Sequence, residues 1–169
     1  MITNTSAAAC SSLNDAQEYA KAGDVVASNS CPAGELKFQR PLFGFNEYLD
    51  YTLRPALRQG LWWMESTSEP RVTFVLADPF LLDETWVLDL SEMEAASLDL
   101  HDPSHALVLV MLAMPTGADG WPTANMRAPI VINVENHAAS QVVSRVEEHE
   151  LRMPVDLRRF ALVEAEGGS

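Results

Sequence analysis

From Glu35 onward the chain reads as short apolar runs cut by turn residues. Leu36 and Phe38 alternate with Lys37 and Gln39, the period-two pattern of a half-buried strand. Residues 41–45 carry Pro41, Phe43, Gly44 and Phe45 and predict a turn. Further strands are expected over 48–53, stopped by Pro55, and over 61–65, where the adjacent Trp62 and Trp63 must face opposite sides. The β-formers of 72–77 are halted by Asp78-Pro79, and 86–90 predicts another strand with Trp86, Leu88 and Leu90 on one face. Residues 106–114 contain almost nothing polar, so a central strand covered on both faces is expected there. Residues 126–134 and 140–145 form a last hairpin, with Asn136 in its turn.

Helical signals are few. Ser91 and Glu94 have capping-box spacing, which starts a helix running to about Leu98. Asp102-Pro103 then turns the chain, and Gly117, Gly120 and Pro122 mark a mobile loop. Many short strands, ten prolines and one or two short helices predict an all-β fold, a small antiparallel β-barrel-like domain, since closure removes exposed edges.

The first thirty residues differ. They are rich in Ser, Ala, Thr and Asn, with a short helix expected over 15–22 and ended by Gly23. The expected organisation is an N-terminal arm over 1–30, partly helical or mobile, a β domain over 31–160 and a frayed tail over 161–169. No basic, then apolar, leader pattern opens the chain. The longest apolar run, 106–114, falls well short of the roughly 20 residues that cross a bilayer as a helix. A cytoplasmic protein is expected, with Cys10 and Cys31 as free thiols rather than a disulfide framework.

Charge narrows the partners. There are 24 acidic residues against 11 Lys and Arg, for a formal net charge of −13. That disfavours direct binding of nucleic acid or of an anionic membrane surface, both of which call for clustered cations. It favours a basic protein. The acids are concentrated: between Arg71 and Arg127 there is no Lys or Arg, while Asp78, Asp83, Glu84, Asp89, Glu92, Glu94, Asp99, Asp102 and Asp119 lie in that span. Phe80, Leu81, Leu82 and Trp86 stand beside them, either as anchors of an interface or as core with the acids merely facing water. Asp78, Phe80, Asp83, Glu84, Glu92 and Asn125 are the candidate partner-binding residues.

Nothing assembles an active site, so no catalytic residue, metal or cofactor is assigned. His101 and His105 are four apart near Asp99 and Asp102, but Pro103 between them breaks the helix that would align two ligands. His137 falls in the hairpin turn, and His149 lies among Glu147, Glu148 and Glu150 without an evident partner. No nucleophile elbow, phosphate loop, dinucleotide fingerprint or Cys-x-x-Cys is present.

Two segments carry a family resemblance. Ala77-Asp78-Pro79-Phe80, after a strand, resembles the Asp-Pro turn of the FliW flagellar assembly factors. Thr123-Ala124-Asn125-Met126-Arg127-Ala128-Pro129-Ile130-Val131-Ile132-Asn133 resembles that family's most characteristic run. Leu36-Lys37-Phe38 with Leu42-Phe43-Gly44-Phe45, and Gln141-Val142-Val143, resemble its opening and closing segments, so that the match spans roughly 35–151 in order. Pro41 and Phe43 depart from the usual Gly and Pro, and Ala139-Ser140 from the usual Gly-Lys. The resemblance implies a small β-barrel-like cytoplasmic protein. It implies binding to flagellin and to CsrA, a basic RNA-binding regulator, with relief of CsrA's repression of flagellin translation. A monomer forming hetero-complexes is expected. An acidic chaperone or adaptor for another basic protein is the alternative. The motif residues Asp78, Pro79, Thr123, Ala124, Asn125, Ala128, Pro129, Ile130, Val131, Ile132 and Asn133 also have a structural reading: Asn125 suits an Asx turn, and Pro129 stands at a permitted strand start.

Overall fold

A computed structural model describes residues 34–162. The helix expected over 15–22, the two cysteines and most of the expected tail lie outside the described residues. The elements are β1 (Gly34–Phe38), β2 (Asp50–Pro55), β3 (Leu61–Ser66), β4 (Thr73–Ala77), α1 (Pro79–Leu82), α2 (Glu92–Ser97), β5 (Ala106–Ala113), β6 (Thr123–Ala124), β7 (Ile130–Asn133), β8 (Ala138–Gln141) and β9 (Met153–Pro154). Single 3₁₀ turns occupy Pro103–His105 and Leu157–Arg159.

The strands pair in the order β4-β3-β2-β1-β8-β7-β5, and β5 pairs back onto β4, closing a seven-stranded barrel. Neighbours are antiparallel except at one seam, where β1 and β8 run parallel with Lys37 opposite Ala138 and Phe38 opposite Ala139. The exception is forced by number: seven strands cannot alternate direction all the way round a closed ring. The expectation of an antiparallel barrel thus holds everywhere but at this seam. Beyond Leu109 the β7 edge of β5 is taken over by β6, which in turn pairs with β9.

Period-two alternation sorts the apolar residues into two cores. Leu36, Phe38, Tyr51, Leu53, Trp62, Met64, Leu76, Leu107, Leu109, Ile130 and Ile132 fill the barrel. Leu61, Ala77, Val108, Val110, Leu112 and Val131 face outward and are covered by Phe80, Leu82, Trp86, Leu88, Leu98, Val155 and Phe160. β5 therefore feeds both layers, which is why its sequence is apolar throughout. Trp62 and Trp63 do diverge: Trp62 is in the barrel, and Trp63 lies outside under the Arg54 guanidinium, 5.6 Å from its ring centre.

One expected strand is corrected. Residues 86–90 form no ladder strand; Leu88 makes a single bridge. The alternation was nevertheless informative, since Trp86 and Leu88 are buried in the outer core and Leu90 packs partly against it. An extended segment lying flat on a barrel shows the same facing pattern as a strand within one. Trp86 is fixed there by its indole N–H, which donates to the Met126 carbonyl at 3.2 Å. The last hairpin runs past its named strands, as Val142 N–H bonds to Pro129 O and Ser144 N–H to Arg127 O.

Candidate functional site

The acid-rich stretch begins at Asp78, and here the structure corrects the surface reading. Asp78 is only 3% exposed. Its carboxylate caps α1 by accepting from the Phe80 amide at 2.9 Å, with Pro79 in the first turn where a missing N–H costs nothing. Burial drives its pKa up to about 6, against the opposing pull of the Phe80 and Leu81 amides. Phe80 is equally buried and meets Trp86 edge-to-face at 5.3 Å. Of the four apolar residues beside the acids, Phe80, Leu82 and Trp86 are core, and Leu81 alone is exposed. The Asp-Pro turn anchors the outer layer to the barrel end rather than presenting a contact.

Downstream the carboxylates do reach the surface. Asp83 is half-buried and accepts from the Thr85 hydroxyl at 2.7 Å and amide at 2.9 Å, bonds that hold its pKa below the usual carboxylate value. Glu84, Asp89 and Glu92 are exposed. Glu94 closes the capping box: its carboxylate accepts from the Ser91 amide at 2.7 Å, while the Ser91 hydroxyl accepts from the Glu94 amide at 3.1 Å. Arg145, from outside the cation-free span, comes within 3.9 Å of Asp89 and 3.5 Å of Glu94. One cation therefore bridges the middle of the acidic surface, leaving Glu84 and Glu92 without an ion pair among the described residues.

The histidines go separate ways. His101 meets Asp99 at 2.8 Å, whereas His105 meets Glu135 at 3.2 Å. His137 has a left-handed backbone (φ 62°) and bonds to the Glu35 carbonyl. His149 stacks on Trp86 at 5.1 Å, and burial lowers its pKa.

The 123–133 run is knitted into the fold. Thr123 and Ala124 are β6, and Ile130, Val131, Ile132 and Asn133 are β7. The Asn125 side chain accepts from the Arg127 and Ala128 amides, forming the expected Asx turn. Ala128 and Pro129 are buried beside it. Asn133 is buried; its amide donates to the Leu98 and Asp99 carbonyls, at 3.0 and 3.1 Å, and its oxygen accepts from Glu135 N–H. It ties β7 to the end of α2, and Asn136 adds a second bond to Leu98 O.

A feature the sequence did not single out lies next to α2. A groove of about 330 Å³ runs between the 39–43 loop, α2 and residues 140–143. Three large apolar side chains stand out around it: Phe43 is 61% exposed, Met93 77% and Val143 52%. The sequence places Phe43 in a turn and in the family's opening segment, and Met93 in a helix; no local signal joins residues so far apart in the chain.

Comparison with known proteins bears on the whole assembly. A family model described as FliW protein matches residues 23–155. The chain belongs to the FliW family. Among its relatives, the flagellar assembly factor FliW of Syntrophotalea carbinolica is 32% identical over 127 residues, covering 73% of this chain and 88% of that one. That of Treponema pallidum is 30% identical over 107 residues, covering 63% and 71% respectively. A crystal structure of the flagellar assembly factor FliW superposes with a TM-score of 0.64 at 25% identity, over 73% of this chain and 86% of that one. The FliW match embraces both the Asp-Pro cap and the 123–133 run, and it begins at residue 23, within the segment expected to be an arm. Among the described residues no helix is long and apolar enough to cross a membrane.

Proposed function

We propose that this chain is a regulator that binds flagellin and the translational regulator CsrA, antagonising CsrA and so relieving repression of flagellin synthesis in the cytoplasm. Membership of a family of flagellar assembly factors supports the setting. The observation that carries the CsrA half is the surface over 83–102, where Glu84, Asp89, Glu92, Asp99 and Asp102 are exposed and, among the described residues, Arg145 is the one Lys or Arg paired with any of them, with His101 meeting Asp99. A basic RNA-binding protein presents the complementary charge. Docking there would cover or remodel its RNA site, with the field setting encounter rate and partner choice, and buried anchors setting affinity. Flagellin competes for the same regulator, so translation follows secretion.

Titration calorimetry of the full chain with purified CsrA and, separately, with flagellin tests this. Binding to both is expected, with the CsrA affinity falling as salt rises. Absence of either complex at low salt removes that half of the reading. Capture of an unrelated basic protein in their place would favour a general acidic adaptor.

A further inference from the structure

The seam between β1 and β8 ends for a chemical reason, and it leaves something behind. In the parallel ladder Lys37 N–H bonds to His137 O and Gln39 N–H to Ala139 O. The next donor in that series would belong to residue 41, aimed at Gln141 O. Residue 41 is Pro, which has no N–H, and the ladder stops. The following donor, Phe43 N–H, is taken by the side chain of Gln141 at 3.1 Å instead. On the other side of β8 the even-numbered amides face β7, through Val142 to Pro129 and Ser144 to Arg127. The amides of Gln141 and Val143 therefore point away from β7, and neither has a backbone partner among the described residues. This stretch of strand edge opens into the groove walled by Phe43 on one side and by Met93 and Glu94 on the other.

We propose that this groove docks a single extended peptide segment of a partner protein, apolar at alternate positions and flanked by Lys or Arg, which takes the place beside β8 that β1 vacates at Pro41. Unpaired amides spaced two residues apart along an edge are satisfied by another extended backbone, as in strand addition. Phe43, Met93 and Val143 supply apolar walls for alternate side chains of such a strand. The net charge of −13 and the exposed Glu92 on α2 favour cationic flanks, most of all beside α2, since the cation lining the groove, Arg40, stands on the 39–43 loop. With α2 closing the far side, the space suits one strand rather than the sheet edge of a second copy. The inference concerns how a segment is held, and stands whichever protein supplies it.

The test uses the full chain, amide-resolved NMR and a seven-residue peptide of alternating valine and threonine with a lysine at each end. Saturable shifts are expected at the amides of Gln141 and Val143. The same peptide N-methylated on its groove-facing amides should bind about tenfold more weakly or worse, as should the wild-type peptide to Phe43→Asp or Met93→Asp. Leu57→Asp, at an exposed site remote from the groove, should bind as wild type. Three results overturn the proposal: no shift at those two amides at about millimolar peptide, equal binding of the N-methylated peptide, or the same shifts produced by concentrating the chain alone, which would assign the groove to a second copy.

Discussion

Replacing Asp78 by Asn separates its two roles. Asn keeps a side-chain oxygen for the Phe80 amide, and Asn caps helices about as well as Asp. What it removes is a carboxylate 3% exposed, whose pKa is raised from 3.8 to about 6. A raised folded-state pKa means that the folded protein binds the proton more tightly than the unfolded chain. The stability contributed by protonated Asp78 is thus complete below pH 3.8 and is lost as pH rises through about 6. At about 1.4 kcal/mol per unit, ionised Asp78 costs the native state about 3 kcal/mol at pH 7, about 2 at pH 5 and under about 1 at pH 4. Urea denaturation of wild type and Asp78→Asn from pH 4 to pH 7 reads this directly, because every other titrating group cancels in the difference. The variant should gain about 2 kcal/mol on wild type across that range, or roughly 4–8 °C in Tm for a domain of this size. Any fixed penalty from the Asn amide shifts the whole difference curve without changing its slope. A difference that stays flat to within about 0.5 kcal/mol would refute the buried-charge reasoning, whatever its sign.

Other expectations can be checked on the same preparations. His149 titrates in the opposite sense: with its folded pKa lowered by burial, its contribution is present above the unfolded value of 6.5 and is lost as pH falls below it, so His149→Gln should flatten the acid-side loss of stability seen by urea melts. Asn133→Ala leaves the Asp99 carbonyl without its donor and the Leu98 carbonyl with Asn136 alone, and should cost about 1–3 kcal/mol, with faster amide exchange at the end of α2. Trp86→Ala should cost about 3–5 kcal/mol, since it empties the outer core where Phe80 and His149 pack. Glu84→Lys with Glu92→Lys should weaken CsrA binding with the melting curve unchanged; Asp83 is a poorer choice, because its carboxylate holds the Thr85 turn.

What the sequence revealed was local. The capping box at Ser91 and Glu94, the Asx turn at Asn125 and the doubly covered β5 each depend on neighbours within a few residues or on an unbroken apolar run, and each is found. The facing of Trp86 and Leu88 was legible for the same reason. Whether that segment joins a ladder was not, because membership depends on a distant backbone. The site was less legible than the fold. Asp78 and Phe80 looked like an acid beside an anchor, yet burial made them a cap and a core residue; polarity alone does not report which side of the outer layer a residue meets. The groove was hidden because Phe43, Met93 and Val143 are brought together only by barrel closure.

The parallel seam also sets the timing of folding. β2, β3 and β4 follow β1 in sequence and can join the sheet in order as they emerge, each pairing with the strand before it across the connections 39–49, 56–60 and 67–72. β1 and β8 instead join residues about one hundred positions apart, through only two register pairs. On a ribosome, this barrel stays an open sheet until β8 has emerged, with the edge of β1 lacking its β8 partner until then. The interval between making β4 and making β8 is therefore when the nascent chain is most open to pairing with the wrong strand.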